Sequence, residues 1–270
     1  PNLDVSVYKD NIESALQRAL QEGAVKRADV LTKHFGIWQN SASTWIPDEK
    51  YQSCAASFDM SDMEGRDCYA GVDFAAVNDF NAVSFFFPAR HHMEKPRLYR
   101  IIWLTEESAK ARHAKNPSFV NWEDEGHVII THGDVADYDR MYADIIEASN
   151  FFNIKTMGFD RAYAAYLIPK LVDYGMECVA FQQNLMAISP PTKEIERLIL
   201  SGEIEHDGNP CLRWMYSNVE LYRDNNDNYR PIKGKSKEKK IDGVIADIIA
   251  VGIWKNAMAQ PIIRSSYIDG

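Results

Sequence analysis

The chain has 270 residues, of which 46% are apolar and 26% charged, and its formal net charge is −9. This apolar content is enough for one large packed core with an extension, while the acidic balance excludes nucleic-acid binding by overall charge and requires a local basic patch instead. The four cysteines are too widely spaced to indicate a zinc site or a disulfide framework, and no apolar run is long enough to span a bilayer.

Residues 1–66 are predicted to form a helical extension that packs on the core. Apolar residues at helical spacing indicate one helix over residues 11–22 and a second over residues 25–34. Trp38 and Trp45 follow in a loop-like stretch. We expect these side chains to anchor the extension, because large aromatic residues contribute strongly to packing.

An antiparallel meander is predicted next, from strands at residues 69–74, 82–87 and 97–104. Asp73 is the single acid within the first of these strands. An ionised carboxylate inside a buried strand is costly unless a cation or a set of donors meets it. Asp73 is therefore a candidate site residue, and the alternative is that it faces solvent or caps a turn. Asp79, on the turn that follows, is expected to be structural.

The middle of the chain has the alternation of an α/β unit with parallel strands. Its predicted elements are strands at 128–132, 154–161 and 177–181 and helices at 137–149, 163–174 and 191–202. The strand at 154–161 ends in the pair Asp160-Arg161. Because open sheets place their sites at the carboxyl ends of such strands, Asp160 is a second candidate.

A turn, a lysine run and an apolar helix follow one another near the C-terminus. Residues 224–228 predict a hairpin turn. The five lysines of the run are Lys233, Lys235, Lys237, Lys239 and Lys240. Such runs are usually solvated loops, but this one adjoins Asp242, which opens the apolar helix at residues 242–254. The simplest interpretation of Asp242 is an N-cap, which the helix N-terminus would stabilise.

Asp73, Asp160 and Asp242 are the three acids that stand out by their surroundings. Carboxylates brought together raise each other's pKa, so a cluster is tolerated mainly when divalent cations neutralise it. Mg²⁺ and Mn²⁺ prefer oxygen ligands, and two ions ~3.5–4 Å apart can activate a water and stabilise the leaving oxygen of a phosphodiester. With lysines to hold the nucleic-acid backbone, the pattern describes a metal-dependent nuclease.

Four segments resemble a known family, in the family's order. The sequence resembles the C-terminal nuclease part of the large terminase subunit of tailed bacteriophages. The resemblance implies an RNase H-like α/β fold over residues 67–270, with a mixed sheet of three antiparallel strands followed by parallel ones, flanked by helices. The segments are Phe35-Gly-Ile-Trp-Gln-Asn-Ser-Ala-Ser-Thr-Trp, Tyr69-Ala-Gly-Val-Asp-Phe-Ala, Gly158-Phe-Asp-Arg and Lys240-Ile-Asp-Gly-Val-Ile-Ala.

This resemblance also implies an activity and partners. It implies an endodeoxyribonuclease that cuts concatemeric phage DNA with two Mg²⁺ or Mn²⁺ ions, held by the acids at positions 73, 160 and 242. The implied partners are double-stranded DNA, an N-terminal packaging ATPase domain in the full-length chain, the portal and the small terminase subunit, at the procapsid in the host cytoplasm. Arg161 and the five lysines are the candidate DNA contacts, and the hairpin at 224–228 is expected near the active-site mouth.

Two features depart from the family pattern. The chain opens at Pro1 and contains no ATPase motif, so we expect a fragment that cuts DNA without translocating it. Asp247 stands where the helix is expected to be apolar, about 140° around the axis from Asp242. We consider Asp247 an accessory metal ligand, although a solvent-facing or partner-facing position is the preferred alternative.

Two other functions remain open on the sequence. One is a different RNase H-like enzyme, such as a resolvase or integrase core. The other is a docking module for the portal or the small terminase subunit, with weak cleavage of its own. The upstream extension with its tryptophans favours the terminase.

Overall fold

The computed structural model describes residues 45–75, 79–114, 118–161, 165–234 and 238–259. The helices predicted at 11–22 and 25–34, together with Trp38, Lys235 and Lys237, lie outside the described residues. Within them the helices are α1 (Asp48–Gln52), α2 (Glu106–His113), α3 (Ser118–Asp124), α4 (Tyr138–Phe151), α5 (Leu167–Asp173), α6 (Leu185–Ser201), α7 (Pro210–Ser217) and α8 (Asp242–Ala259). The strands are β1 (Asp67–Asp73), β2 (Asn81–Phe87), β3 (Arg97–Thr105), β4 (Ile129–Thr131), β5 (Asn153–Phe159), β6 (Cys178–Ala180), β7 (Glu205–His206), β8 (Val219–Arg223) and β9 (Tyr229–Lys233).

The central sheet is mixed, with strand order β4-β3-β2-β1-β5-β6 and β7 paired to the start of β3. Strand β2 is antiparallel to both β1 and β3. Strands β5 and β6 continue from β1 in parallel, and β4 is parallel to β3. This confirms the predicted fold class of an antiparallel meander followed by parallel strands, with helices packed against the sheet. Strands β8 and β9 form a separate hairpin.

Helix α8 is the central helix of the molecule. All of its residues from Asp242 to Ile253 are buried, which is expected of a helix that is apolar on every side. One side packs on β1 and β2, and α6 and α7 cover another. Across the described part of the chain, no helix combines the length and apolar character that a bilayer span requires.

Two glycines allow α8 to lie directly on the sheet. Gly71 on β1 and Gly158 on β5 are neighbours in the parallel ladder. A Cβ atom at position 71 would overlap the backbone of α8 at Ala250, and one at position 158 would lie 2.5 Å from Cγ1 of Ile253. Any side chain at these two positions would therefore push the helix off the sheet.

A buried ion pair holds α8 on the same row of the sheet. Ser84 on β2 lies opposite Gly71, and Arg100 on β3 lies opposite Ser84. The carboxylate of Asp247 accepts hydrogen bonds from Arg100 Nη2 (2.7 Å) and Nε (2.9 Å). Ser84 Oγ (2.6 Å) and Tyr216 OH (2.8 Å) donate to the same carboxylate. The expectation that Asp247 faces solvent or a partner is wrong, since its side chain is fully buried in this network.

The segment before β1 packs on the core, as predicted for Trp45. Its ring is 6% exposed and stacks on Tyr216 at a centroid distance of 5.9 Å. Tyr51 on α1 lies 4.4 Å from the same tyrosine ring and stacks on His206 at 4.1 Å. These aromatic contacts join residues 45–52 to β7 and α7.

Helix α6 differs from the prediction in where it begins. Helix α6 begins at Leu185, six residues before the predicted start, and carries Pro190 and Pro191 in its interior. The prolines indicated a helix start in the sequence, but Asn184 is the cap, accepting from the backbone N–H of Ala187 at 3.0 Å. Burial of one face of α6 offsets the hydrogen bonds that the prolines remove. Helices α2, α3 and α7 lie in segments for which the sequence pattern predicted no helix.

The Arg100–Asp247 pair gives a testable prediction for stability. Removing one partner leaves the other charge buried, so Arg100→Met or Asp247→Leu should each lower the free energy of unfolding by about 3–5 kcal/mol. The double variant should lose less than the sum of the two single losses, because neither member of this pair then remains, although Asp207, whose Oδ1 lies 3.1 Å from Arg100 Nη1, still loses its cation. Urea denaturation followed by circular dichroism measures all three. Strictly additive losses would contradict the coupling.

His206 predicts a pH dependence of stability. Its buried ring accepts from the backbone N–H of Gly208 on Nδ1 (3.1 Å), and its Nε2 lies 2.8 Å from the Tyr51 carbonyl oxygen. Burial, followed by the charge of Arg100, lowers the pKa of His206 from 6.5 to about 4. Between about pH 6.5 and 4, the imidazole of His206 is therefore protonated in the unfolded chain but stays neutral in the folded protein.

We expect the contribution of neutral His206 to the free energy of unfolding to be fully present above pH 6.5. It should be lost as the pH falls toward 4, by up to about 3 kcal/mol. Urea denaturation across this range should show a shallower loss for His206→Gln. Replacement of the solvent-exposed His132 by Gln serves as the control and should keep the slope of the unchanged protein. Identical slopes for the two variants would refute this assignment.

Candidate active site

The carboxyl ends of β1 and β5 bring two of the predicted acids side by side. Val72 pairs with Phe159 in the parallel ladder, so Asp73 is the next residue of β1 and Asp160 is the first residue after β5. Side chains alternate along a strand, which puts Asp73, two residues after Gly71, on the face that carries α8. Asp242 is the first residue of α8.

A cavity of about 490 Å³ at this end of the sheet contains the acids of β1 and α8. Asp73 and Asp242 line it together with Asp79, from the turn after β1. The β8–β9 hairpin contributes Arg230 and Lys233 to the opposite wall. The cavity therefore combines carboxylates from three parts of the chain with cations from a fourth.

Burial and mutual repulsion raise the pKa of two of these acids. For Asp73 the largest cause is burial, followed by the charge of Asp242, and together they hold its pKa well above the ordinary value despite the opposing charge of Lys233. The negative charges of Asp79 and Asp160 also raise the pKa of Asp73. Burial, followed by the charge of Asp79, raises the pKa of Asp242 to about 6. The acids are thus close enough to destabilise each other's ionised forms.

Asp242 carries a buried oxygen with no partner. The residue is 4% exposed, and its Oδ2 has no hydrogen-bond donor among the described residues. Its Oδ1 lies 3.4 Å from Nζ of Lys233. Asp242 is the first helical residue, so the predicted N-cap role does not account for its side chain. A buried carboxylate oxygen without a donor is costly, and a cation is the natural ligand for it.

Two lysines neutralise part of the site through Asp79. Lys233 Nζ lies 3.0 Å from Oδ2 of Asp79, and Lys240 Nζ lies 2.8 Å from its Oδ1. Although burial opposes the change, the hydrogen bonds and charges of these lysines lower the pKa of Asp79. Lys233 therefore bridges Asp79 and Asp242. The prediction of a structural role for Asp79 is compatible with these ion pairs. Its position beside Asp73 follows from hairpin geometry, because Asp73 pairs with Ala82 and the intervening turn must lie next to it.

The donor set fits a hard divalent cation. Its candidate ligands are all carboxylate oxygens, which Mg²⁺ and Mn²⁺ prefer, and one of these oxygens is buried without a partner. Within the described ranges, no three His, Cys, Asp or Glu side chains are yet close enough to form a complete ligand set.

The other predicted site residues are distributed differently. Lys239 Nζ lies 3.1 Å from Glu220 Oε1, on the β8 strand. Arg161 is exposed and follows Asp160 directly. Both carboxylate oxygens of Asp247 accept hydrogen bonds from Arg100 in the buried core. The predicted turn at 224–228 does connect β8 to β9, and this hairpin borders the cavity.

Comparison with known proteins gives consistent matches. The family model for the terminase large subunit, endonuclease domain, matches residues 1–259. Protein YmfN of Escherichia coli (strain K12) is 31% identical over 265 residues, which cover 93% of this chain and 57% of that protein. The terminase large subunit of Enterobacteria phage HK97 is 27% identical over 197 residues, covering 69% of this chain and 37% of that protein.

The solved structures include a match to the same fold. The crystal structure of the HK97 bacteriophage large terminase has a TM-score of 0.68 and 22% identity, covering 92% of this chain and 51% of that chain. The chain thus spans about half the length of the relatives that it matches.

The unpartnered oxygen of Asp242 predicts that metal-free protein gains stability when this charge is removed. With EDTA at about pH 8, Asp242→Asn should raise the free energy of unfolding by roughly 1–2 kcal/mol, because a group with a raised pKa destabilises the fold once it is ionised. At about pH 5, between the ordinary and the raised pKa, the gain should fall to about half, because the carboxyl is then ionised in the unfolded chain but still protonated in the folded one. Thermal melts at the two pH values measure the difference.

The matched control is Asp67→Asn, at the exposed opposite end of β1. It should show no such gain at either pH. A loss of stability in Asp242→Asn at both pH values would mean that its carboxylate is structurally satisfied.

Proposed function

The chain belongs to the family of terminase large-subunit endonuclease domains, and we propose on this basis that it hydrolyses DNA with two divalent cations at the cavity between β1, α8 and the β8–β9 hairpin. The proposed reaction is endonucleolytic cleavage of concatemeric phage DNA during genome packaging. The observation that carries this proposal is the buried, unpartnered Oδ2 of Asp242 in a cavity shared with Asp73.

The proposed metal ligands are Asp73, Asp160 and Asp242. When bound, two Mg²⁺ or Mn²⁺ ions would supply water activation and stabilisation of the leaving oxygen. The pKa of about 6 for Asp242 means that its carboxylate is ionised, and so able to bind a cation, at neutral pH.

Asp79 and Lys233 have a supporting role in this proposal. Lys233 supplies positive charge between Asp79 and Asp242, at 3.0 and 3.4 Å. This charge compensates the ionised acids while no metal is bound. Asp79 in turn holds Lys233 at the wall of the cavity and also binds Lys240. Apolar side chains of Ile241 and Ile245 line the same cavity and restrict water there.

The proposed partners follow from the family and from the length of the relatives. They are double-stranded DNA, an N-terminal packaging ATPase domain in the full-length protein, the portal and the small terminase subunit, in the host cytoplasm. A net charge of −9 means that DNA has to be bound by localised cations. Arg161, exposed beside Asp160, is one proposed contact.

Asp73→Asn tests the proposal directly. Supercoiled plasmid incubated with the protein and Mn²⁺ should be nicked and linearised, and the variant should be at least about 100-fold slower, since it loses a metal ligand that acts in the transition state. Agarose gel electrophoresis of timed samples gives the rates.

Asp67→Asn is again the control, because it removes a carboxylate from the same strand at the end away from the cavity. It should cleave at the rate of the unchanged protein. Equal nicking by Asp73→Asn would remove the enzyme assignment and favour the docking function instead.

A further inference from the structure

The cations near the cavity differ in whether a carboxylate already neutralises them. Five of them are bound by acids of the chain: Lys233 and Lys240 by Asp79, Lys239 by Glu220, and Lys193 and Arg223 by Asp227. Arg230 on β9 is exposed and has no carboxylate within ion-pairing distance among the described residues. Its charge is therefore available to a ligand.

Arg230 also lies at the right place for a substrate contact. It lines the same cavity as Asp73 and Asp242, on the wall formed by the hairpin. Its cross-strand partner is Tyr222, and its guanidinium carbon lies 6.0 Å from the centroid of that ring. The tyrosine is 51% exposed. An aromatic ring can hold a guanidinium in place without neutralising it, which a carboxylate cannot do.

The hairpin that carries Arg230 is anchored on its opposite side. The backbone N–H of Tyr229 donates to Ser189 Oγ of α6 at 3.1 Å, and the Tyr229 hydroxyl donates to Glu196 on the same helix. These contacts fix β9 against α6, so Arg230 is presented to the cavity by a rigid element.

We propose that Arg230 binds the phosphodiester backbone of the DNA strand that enters the cavity, with Tyr222 as the residue that positions its guanidinium. This inference depends on the proposed nuclease function. DNA and the acids of the cavity repel each other, so the strand needs a cation that no protein carboxylate has neutralised. The planar fork of an arginine binds two phosphate oxygens at once, which the ammonium of Lys233, engaged by two acids, does not.

The test measures DNA binding without cleavage. The protein is mixed with a fluorescein-labelled duplex of about 30 base pairs in EDTA, and fluorescence anisotropy gives Kd at several salt concentrations. At about 0.1 M NaCl, Arg230→Gln should raise Kd about five- to tenfold and reduce the slope of log Kd against log salt by about one, the loss of one phosphate contact. Arg230→Lys should restore most of the slope, and Tyr222→Leu should raise Kd while keeping the slope.

The matched control is Arg223→Gln, on the same hairpin but paired with Asp227. It should leave the salt slope unchanged. In the plasmid assay with Mn²⁺, Arg230→Gln should raise KM for DNA while kcat stays within about twofold, because the residue contacts the backbone and not the metals.

The outcomes separate this inference from the proposed function. If the unchanged protein binds and nicks DNA and Arg230→Gln has the same salt slope as Arg223→Gln, the Arg230 contact is refuted and the nuclease remains. If the unchanged protein neither binds nor nicks DNA, both are refuted. Thermal melts of the variants show whether the hairpin is still folded. A melting temperature that falls in Arg230→Gln but not in Arg230→Lys would also contradict the proposal.

Discussion

The buried ion pair between Arg100 and Asp247 determines where the central helix lies on the sheet. Helix α8 is apolar on every side, and burial of apolar surface alone does not select one rotation or one register, because the hydrophobic effect has no direction. The hydrogen bonds from Arg100 and Ser84 do select one. Asp242 is five residues away on the same helix, about 7.5 Å along its axis. Fixing Asp247 therefore also fixes the acid that enters the cavity.

The unfavourable burial and mutual repulsion of the acids in the cavity are linked to the proposed binding of divalent cations there. The features that raise the pKa of Asp73 and Asp242, burial and close acids, are the same features that would attract a divalent cation. Lys233 relieves part of the repulsion from within the chain, at 3.0 Å from Asp79 and 3.4 Å from Asp242. Its single charge leaves Oδ2 of Asp242 without a hydrogen-bond donor from the described part of the chain. The site is thus only partly compensated by its own protein.

The sequence predicted those parts of the fold that depend on local pattern. Strands β1, β2, β3 and β5 have alternating or continuous apolar runs, and their ends marked Asp73 and Asp160. The role of Asp247 could not be predicted in this way, because its partner Arg100 lies 147 residues away along the chain. The start of α6 was missed since tertiary burial outweighed two prolines, which local rules treat as a helix start.

The basic residues near the cavity also show what the sequence pattern could not predict, namely which group each cation contacts. In the sequence the lysine run is the most conspicuous basic feature, and it suggested the DNA contacts. In the structure Lys233, Lys239 and Lys240 each have a carboxylate partner, whereas the isolated Arg230 has an aromatic one. A cation already paired with an acid of the same chain has to give up that ion pair before it can neutralise a phosphate, which lowers its net contribution to DNA affinity. The number of cations in a segment therefore says less about DNA affinity than the identity of the group each cation already contacts.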